Sequence, residues 1–286
     1  MNRKAIARRA FLKALQLRRR AGYGLDSAIC VYDLAQKLGI EVRFLDIPSM
    51  EGMYYAASPP HIIISSLRPV GRRAFTCAHE LGHHCFDDGT HIDELTEQFK
   101  IPRQDPREFA ADCFAGALLM PKMAVEKAFA NRGWTIRECT PEQIFSVSNY
   151  FGVGYTTLIH HLRSSLLLLP HYRAERLLKI SSRSAQNLAL GWETTRTAWI
   201  VDRNWKGRPI DVEEGDLIFV RAMACLEGRS VQHKTDRNGG RLLSAIRQGI
   251  ARIEDSSGWS SYIRVSKRGF IGRDIFRHQE VEVDDE

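Results

Sequence analysis

His79-Glu80-Leu81-Gly82-His83 puts two imidazoles and a carboxylate within five residues. On a helix, positions i and i+4 lie about 40° apart around the axis and about 6 Å apart along it. Both imidazoles then point the same way and can share one ion, and Glu80 is angled so that its carboxylate can reach a water held there. This is the H-E-x-x-H spacing of zinc hydrolases. With only 10 His in the chain, composition alone yields on the order of 0.02 such matches, so chance is a poor explanation. Phe75, Cys77, Ala78, Leu81 and Cys85 around the motif are apolar or small. The helix is therefore expected to be buried, where two histidines and a glutamate are costly without partners.

A catalytic zinc takes three protein ligands and keeps one position open for water. Four sources could supply the third ligand. A later histidine in the H-E-x-x-H-x-x-G-x-x-H pattern fails, because Phe86 stands in place of the Gly and Gly89 in place of the His. Asp87 and Asp88 are expected to end the helix or face solvent. His91 is near in sequence, as is His84, which points about 100° away from His83. The best candidate is Glu108, which opens Glu108-Phe109-Ala110-Ala111-Asp112. Its acids at i and i+4 share one helix face, so Glu108 can ligate while Asp112 accepts the N–H of a ligand histidine.

The elements that must position these groups follow from pattern. Asn2–Arg20 and Val31–Leu38 read as helices, the latter ended by Gly39. Ile40–Leu45 alternates as a strand, Met53–Ala57 is a weaker one, and His61–Ser65 (HIIIS) is short and β-branched. Gly71–Phe86 and Pro106–Leu119 carry the chemistry on helices, Pro106 sitting where a first-turn proline is tolerated. Ala124–Asn131 is a short helix, and Pro141–Tyr150 with Tyr155–Leu169 forms a helix–turn–helix-like pair. Leu177–Leu190 is helical or extended. Beyond it, short β-like runs alternate with turns (Ala198–Asp202, Leu217–Arg221, Leu242–Ile246, Ile250–Ile253, Tyr262–Val265), which reads as an antiparallel β-rich region.

RRAFTCAHELGHH and EFAADCFAGALLMP, within Arg72–Leu119, resemble the ImmA/IrrE family of metallopeptidases, a gluzincin-like group with an H-E-L-G-H helix and a later E-x-x-A-N/D-x-F-A helix. The resemblance spans about residues 25–168. It departs at Asp112, where Asn is common, at the extra His84, and in a longer insert between His83 and Glu108. It implies an α+β fold: a mainly helical zincin-like metallopeptidase domain with a small N-terminal β-sheet at 1–168, and a β-rich accessory domain, for sensing or substrate docking, at 169–286. It further implies one catalytic Zn2+ on His79, His83 and Glu108, with Glu80 as general base. Relatives cut helix-turn-helix repressors, so a transcriptional repressor is the expected protein substrate. A second electrophile is usual in such sites; Tyr54, Tyr55, His84 and Tyr155 are all candidates. The strand His61, Ile62, Ile63, Ile64, Ser65 is a candidate edge for an extended peptide by strand addition, or an ordinary core strand.

Composition sets the limits. Hydrophobic residues are 44% and charged residues 26%, an ordinary globular balance. No run nears the ~18–20 apolar residues of a membrane span. Six scattered cysteines without a C-x-x-C pair read as reduced thiols, and the expected location is cytoplasmic. The net charge of +7 permits a nucleic-acid partner without requiring one. Eight basic residues and no acid fall in the first twenty, on what reads as an amphipathic helix; a transit peptide and a nucleic-acid arm are the other options. The rival functions are a DNA-binding transcriptional regulator with a structural or vestigial metal site, and a zinc hydrolase acting on something other than a peptide.

Overall fold

The computed structural model describes residues 2–94, 105–206 and 208–280. The acidic stretch 281–286, Gly207, and residues 95–104 of the insert before Glu108 lie outside them. Helix α1 (Arg3–Arg20) is capped by Asn2, whose side chain accepts from Ala5 N. Its inner strip is Ala10, Ala14 and Arg18, all fully buried. Small residues there let α1 lie flat on the helix carrying Glu108. Arg18, one of the eight basic residues of this amphipathic helix, is turned inward: its guanidinium donates to the carbonyls of Gly24, Ser27 and Leu118, so carbonyls rather than an acid hold the charge, and burial pushes its pKa down to about 10.

α2 (Val31–Lys37), β1 (Glu41–Leu45), β2 (Met50–Tyr55), β3 (His61–Ser65), α3 (Val70–Phe86), β4 (His91–Glu94) and α4 (Pro106–Leu119) follow. β1 and β3 run parallel, β2 joins β3 antiparallel, and β4 adds antiparallel to β2. α5 (Lys122–Ala130), α6 (Pro141–Phe151) and α7 (Tyr155–His160) complete the N-terminal half. α7 is shorter than the pattern suggests, because His161–Ser165 widens into a π turn. Its inner face is Tyr155, Leu158 and Ile159, and the first residue of the π turn, His161, donates Nε2–H to Met120 O at 2.9 Å. These groups are core, while Thr156, His160 and Ser164 form the exposed side of the same segment.

α8 (His171–Leu178) and α9 (Ser182–Leu190) resolve the ambiguous stretch as helices, so the β-rich region begins only at Ala198. Strands β5 (Ala198–Val201), β6 (Ile210–Glu213), β7 (Leu217–Val220), β8 (Ala224–Glu227), β9 (Val231–Arg237), β10 (Gly240–Ala245), β11 (Gly249–Asp255) and β12 (Ser260–Ser266) form two four-stranded sheets, ordered β5-β7-β10-β9 and β6-β12-β11-β8. Both are mixed rather than purely antiparallel, since β5 runs parallel to β7 and β6 to β12. Trp199, Trp205 and Trp259 are buried in or beside them. β13 (Gly272–Arg273) then returns to pair with β1, giving a first sheet of order β13-β1-β3-β2-β4. The α+β fold is thus a helical zincin-like part around a small sheet and a β-rich C-terminal part, with one apolar core continuous through both.

Candidate metal centre

α3 is almost wholly buried from Thr76 to His83. A glycine inside such a helix costs about 1 kcal/mol against alanine, but Gly82 serves the approach of α4. A Cβ there would lie 3.0 Å from Ala111 Cα and 3.2 Å from Ala111 Cβ. Replacing Gly82 with Ala should therefore cost ~1–3 kcal/mol by overpacking and weaken metal binding, both measured by urea unfolding and metal titration. Unchanged stability would mean that α4 shifts without cost.

α4 starts cleanly. The Asp105 carboxylate accepts from Arg107 N at 2.8 Å and Pro106 occupies the first turn, which turns Glu108 toward α3. His79 Nε2 and His83 Nε2 are 3.1 Å apart. Glu108 Oε2 lies 3.4 Å from His79 Nε2 and Oε1 lies 3.3 Å from His83 Nε2. Ligands ~2.0–2.1 Å from a common tetrahedral centre stand about 3.3 Å from one another, so these spacings fit one small cation. Among the described residues, His79, His83 and Glu108 are the group whose ligand atoms all fall within 4.8 Å of each other.

The far side of each imidazole is tied. His79 Nδ1 is 2.9 Å from Asp112 Oδ1, and His83 Nδ1 is 2.9 Å from Asp88 Oδ2. With Nδ1–H donating to a carboxylate, each Nε2 lone pair faces the common point. Burial alone would lower the His79 pKa; Asp112 and Glu108 outweigh it and push it up to about 10. His83 is likewise raised, burial opposing and Glu108 and Asp88 prevailing. The site thus attracts a cation. Two imidazoles and one carboxylate are a donor set suited to zinc, and the residues fit such an ion.

Asp88 is a site residue that helical spacing does not reveal. Asp87 adopts φ 60° at the end of α3, and Asp88 N bonds back to His83 O. This turn folds the Asp88 carboxylate onto the ring of His83. Asp88→Ala or Asp112→Ala should lower metal affinity ~10–100-fold, read by competition with a chelating dye; unaltered affinity would show that neither carboxylate orients its histidine.

Glu80 is completely buried. Gly52 on β2 makes room for it: a Cβ at Gly52 would collide with Thr76 Cγ2 and stand 2.8 Å from Glu80 Oε1. Tyr54 and His84 hold each other, Oη to Nδ1 at 2.8 Å. Tyr55 is exposed, with its ring beside that of His61. Tyr155 is corrected from candidate electrophile to core residue, because its hydroxyl donates to Leu177 O at 3.0 Å within the interior. His61–Ser65 is corrected as well: β3 is hydrogen-bonded to β1 on one side and β2 on the other, so it has no free edge. The side chain of His91 lies outside the described residues.

Residues 35–163 match the family model described as the IrrE N-terminal-like domain, peptidase M78. Over that span, a little under half of the chain, the sequence is similar to a peptidase M78 domain. The matched span contains His79, Glu80, His83, Asp88, Glu108 and Asp112; α1 and everything after Arg163 lie outside it. No curated protein matched. Among solved structures, a Mycobacterium tuberculosis transcriptional regulator is similar at 22% identity and TM-score 0.38, over 57% of this chain and 48% of that one. This chain spans about half the length of that protein. No helix among the described residues is long and apolar enough to cross a membrane.

Proposed function

We propose that the chain is a zinc-dependent endopeptidase, with His79, His83 and Glu108 as ligands, Glu80 as general base, and Asp112 and Asp88 orienting the imidazoles. The triangle of donor atoms beside a buried glutamate carries this proposal, and the peptidase M78 match supports it. A bound zinc ion would polarise the scissile carbonyl and lower the pKa of water at the site. Glu80 takes a proton from the attacking water and returns it to the leaving amine. Asp112 and Asp88 accept the Nδ1–H of each imidazole, so that the neutral ring turns its Nε2 lone pair toward the ion. Of the four candidate electrophiles, the mutually bonded Tyr54 and His84 are the pair retained. The substrate proposed is a helix-turn-helix repressor, the location cytoplasmic, and the division between peptidase and accessory parts falls at 168/169.

The test is direct. Purified protein loaded with zinc is incubated with a helix-turn-helix repressor, and new termini are sought by mass spectrometry. Cleavage that stops with chelator and returns with zinc is expected. Zinc-loaded protein that cuts no repressor and instead retards operator DNA would favour a regulator.

A further inference from the structure

α1 presents a second strip, opposite in character to its buried one. Arg8, Arg9, Lys13 and Arg20 recur at helical spacing and line one wall of a cleft of about 900 Å³. The exposed Leu12 lies among them, and Leu17 and Leu38 add apolar surface. The far wall is His84 and Cys85 of α3, immediately after the ligand His83. Among the described residues no carboxylate lines this cleft, and none of the four cations makes an ion pair. Arg9 and Lys13 instead stack over Phe86, 5.6 and 4.8 Å from its ring centre. The wall is therefore fixed in place by ring contacts while its charge stays available.

The structure assigns this cleft to a partner of specific chemistry. We infer that it binds an acidic peptide segment, carboxylates against Arg8, Arg9, Lys13 and Arg20 and an apolar side chain against Leu12 and Leu17, and that this segment belongs to the protein substrate. The inference rests on the endopeptidase reading for the word substrate, and on charge complementarity for the rest. A mixed floor of leucines under a cationic rim suits a peptide better than a nucleic acid. Backbone phosphates ask for positive charge along an extended track, and this cleft is concave, half apolar, and of the ~300–1,000 Å³ size that encloses a short segment. α1 lies outside the peptidase M78 match, whereas Leu38, His84 and Cys85 lie within it.

Binding can be read without cleavage. A fluorescein-labelled ten-residue peptide carrying Glu-Leu-Glu-Glu-Leu, its Gln-for-Glu counterpart and a 20-base-pair DNA duplex are titrated by anisotropy against the full-length Glu80→Gln protein. The acidic peptide should bind at least tenfold more tightly than the Gln peptide. The exposed double change Arg8→Glu with Arg20→Glu should cost at least tenfold, with the circular dichroism spectrum unchanged; if this double variant fails to fold, Arg8→Gln with Arg20→Gln replaces it, with at least a threefold loss expected. Equal binding of the two peptides overturns the inference. So does preferential DNA binding that the same substitutions abolish, or peptide binding that appears only after removal of residues 281–286, which would make the chain's own acidic tail the occupant. Acidic-peptide binding by a protein that cleaves nothing would sustain the surface and sink the endopeptidase reading; repressor cleavage without selective peptide binding would do the reverse.

Discussion

Glu80→Gln should lower kcat for peptide cleavage by ~10²–10⁴-fold, the range for loss of a positioned general base, while leaving metal content and fold intact. The amide matches the carboxylate in shape, so it fits the same space between Gly52 and Thr76. It cannot take a proton from water. The ligands His79, His83 and Glu108 and their partners Asp88 and Asp112 are untouched, so one equivalent of metal should still bind. That combination separates a catalytic from a structural ion: a structural zinc site is closed by four protein ligands, and Glu80 would then have no task. If the variant keeps its metal and cuts at the wild-type rate, the hydrolytic mechanism assigned to this residue is wrong. If it loses the metal, Glu80 belongs to the cation site instead. Gly52→Ala is an independent probe of the same point, since it presses on Glu80 from β2 without changing any titratable group.

What the sequence disclosed about this centre was whatever a helix repeats. His79 and His83 meet because 3.6 residues per turn bring i and i+4 together, and Glu108 with Asp112 is legible for the same reason. Asp88 was hidden because helical arithmetic stops at Phe86, and the left-handed Asp87 then folds the chain back. The strand pattern of His61–Ser65 announced a strand correctly but not its neighbours; whether a strand lies at an edge depends on pairings with residues far along the chain. β13 is the extreme case, two residues joining β1 from more than 200 positions away. The burial of Arg18 was illegible for a related reason: a count of charges does not show which carbonyls will be turned inward to meet them.

Asp211→Ala should destabilise the protein by ~3–5 kcal/mol in urea unfolding, the cost of removing the buried carboxylate that two arginines share. The Asp211 carboxylate takes two bonds from Arg264, at 2.5 and 2.8 Å, and one from Arg277 at 3.2 Å. Arg264 also reaches Asp33 of α2 at 2.9 Å, and Arg277 stacks over Tyr32 of α2. The cluster therefore ties the C-terminal sheet to the N-terminal helices. Two residues on, the next β6 side chain on the same face is Glu213, which accepts from Arg73 of the metal-bearing α3 at 2.5 Å. Burial by itself would raise the Asp211 pKa; Arg264 and Arg277 outweigh it and hold the carboxyl far below the usual range. A depressed folded-state pKa gives stability that is complete above the unfolded value of ~3.9 and is lost as pH falls through the folded one. Wild-type stability should thus decline below about pH 4 partly through this group, and Asp211→Asn should be flatter there while weaker at neutral pH. An exposed pair such as Arg252 and Glu254 sets the contrast, since breaking it should cost under ~1 kcal/mol. Should Asp211→Ala cost no more than that, the cluster does not hold the two parts together, and β6 is not the route by which the C-terminal sheets steady α3.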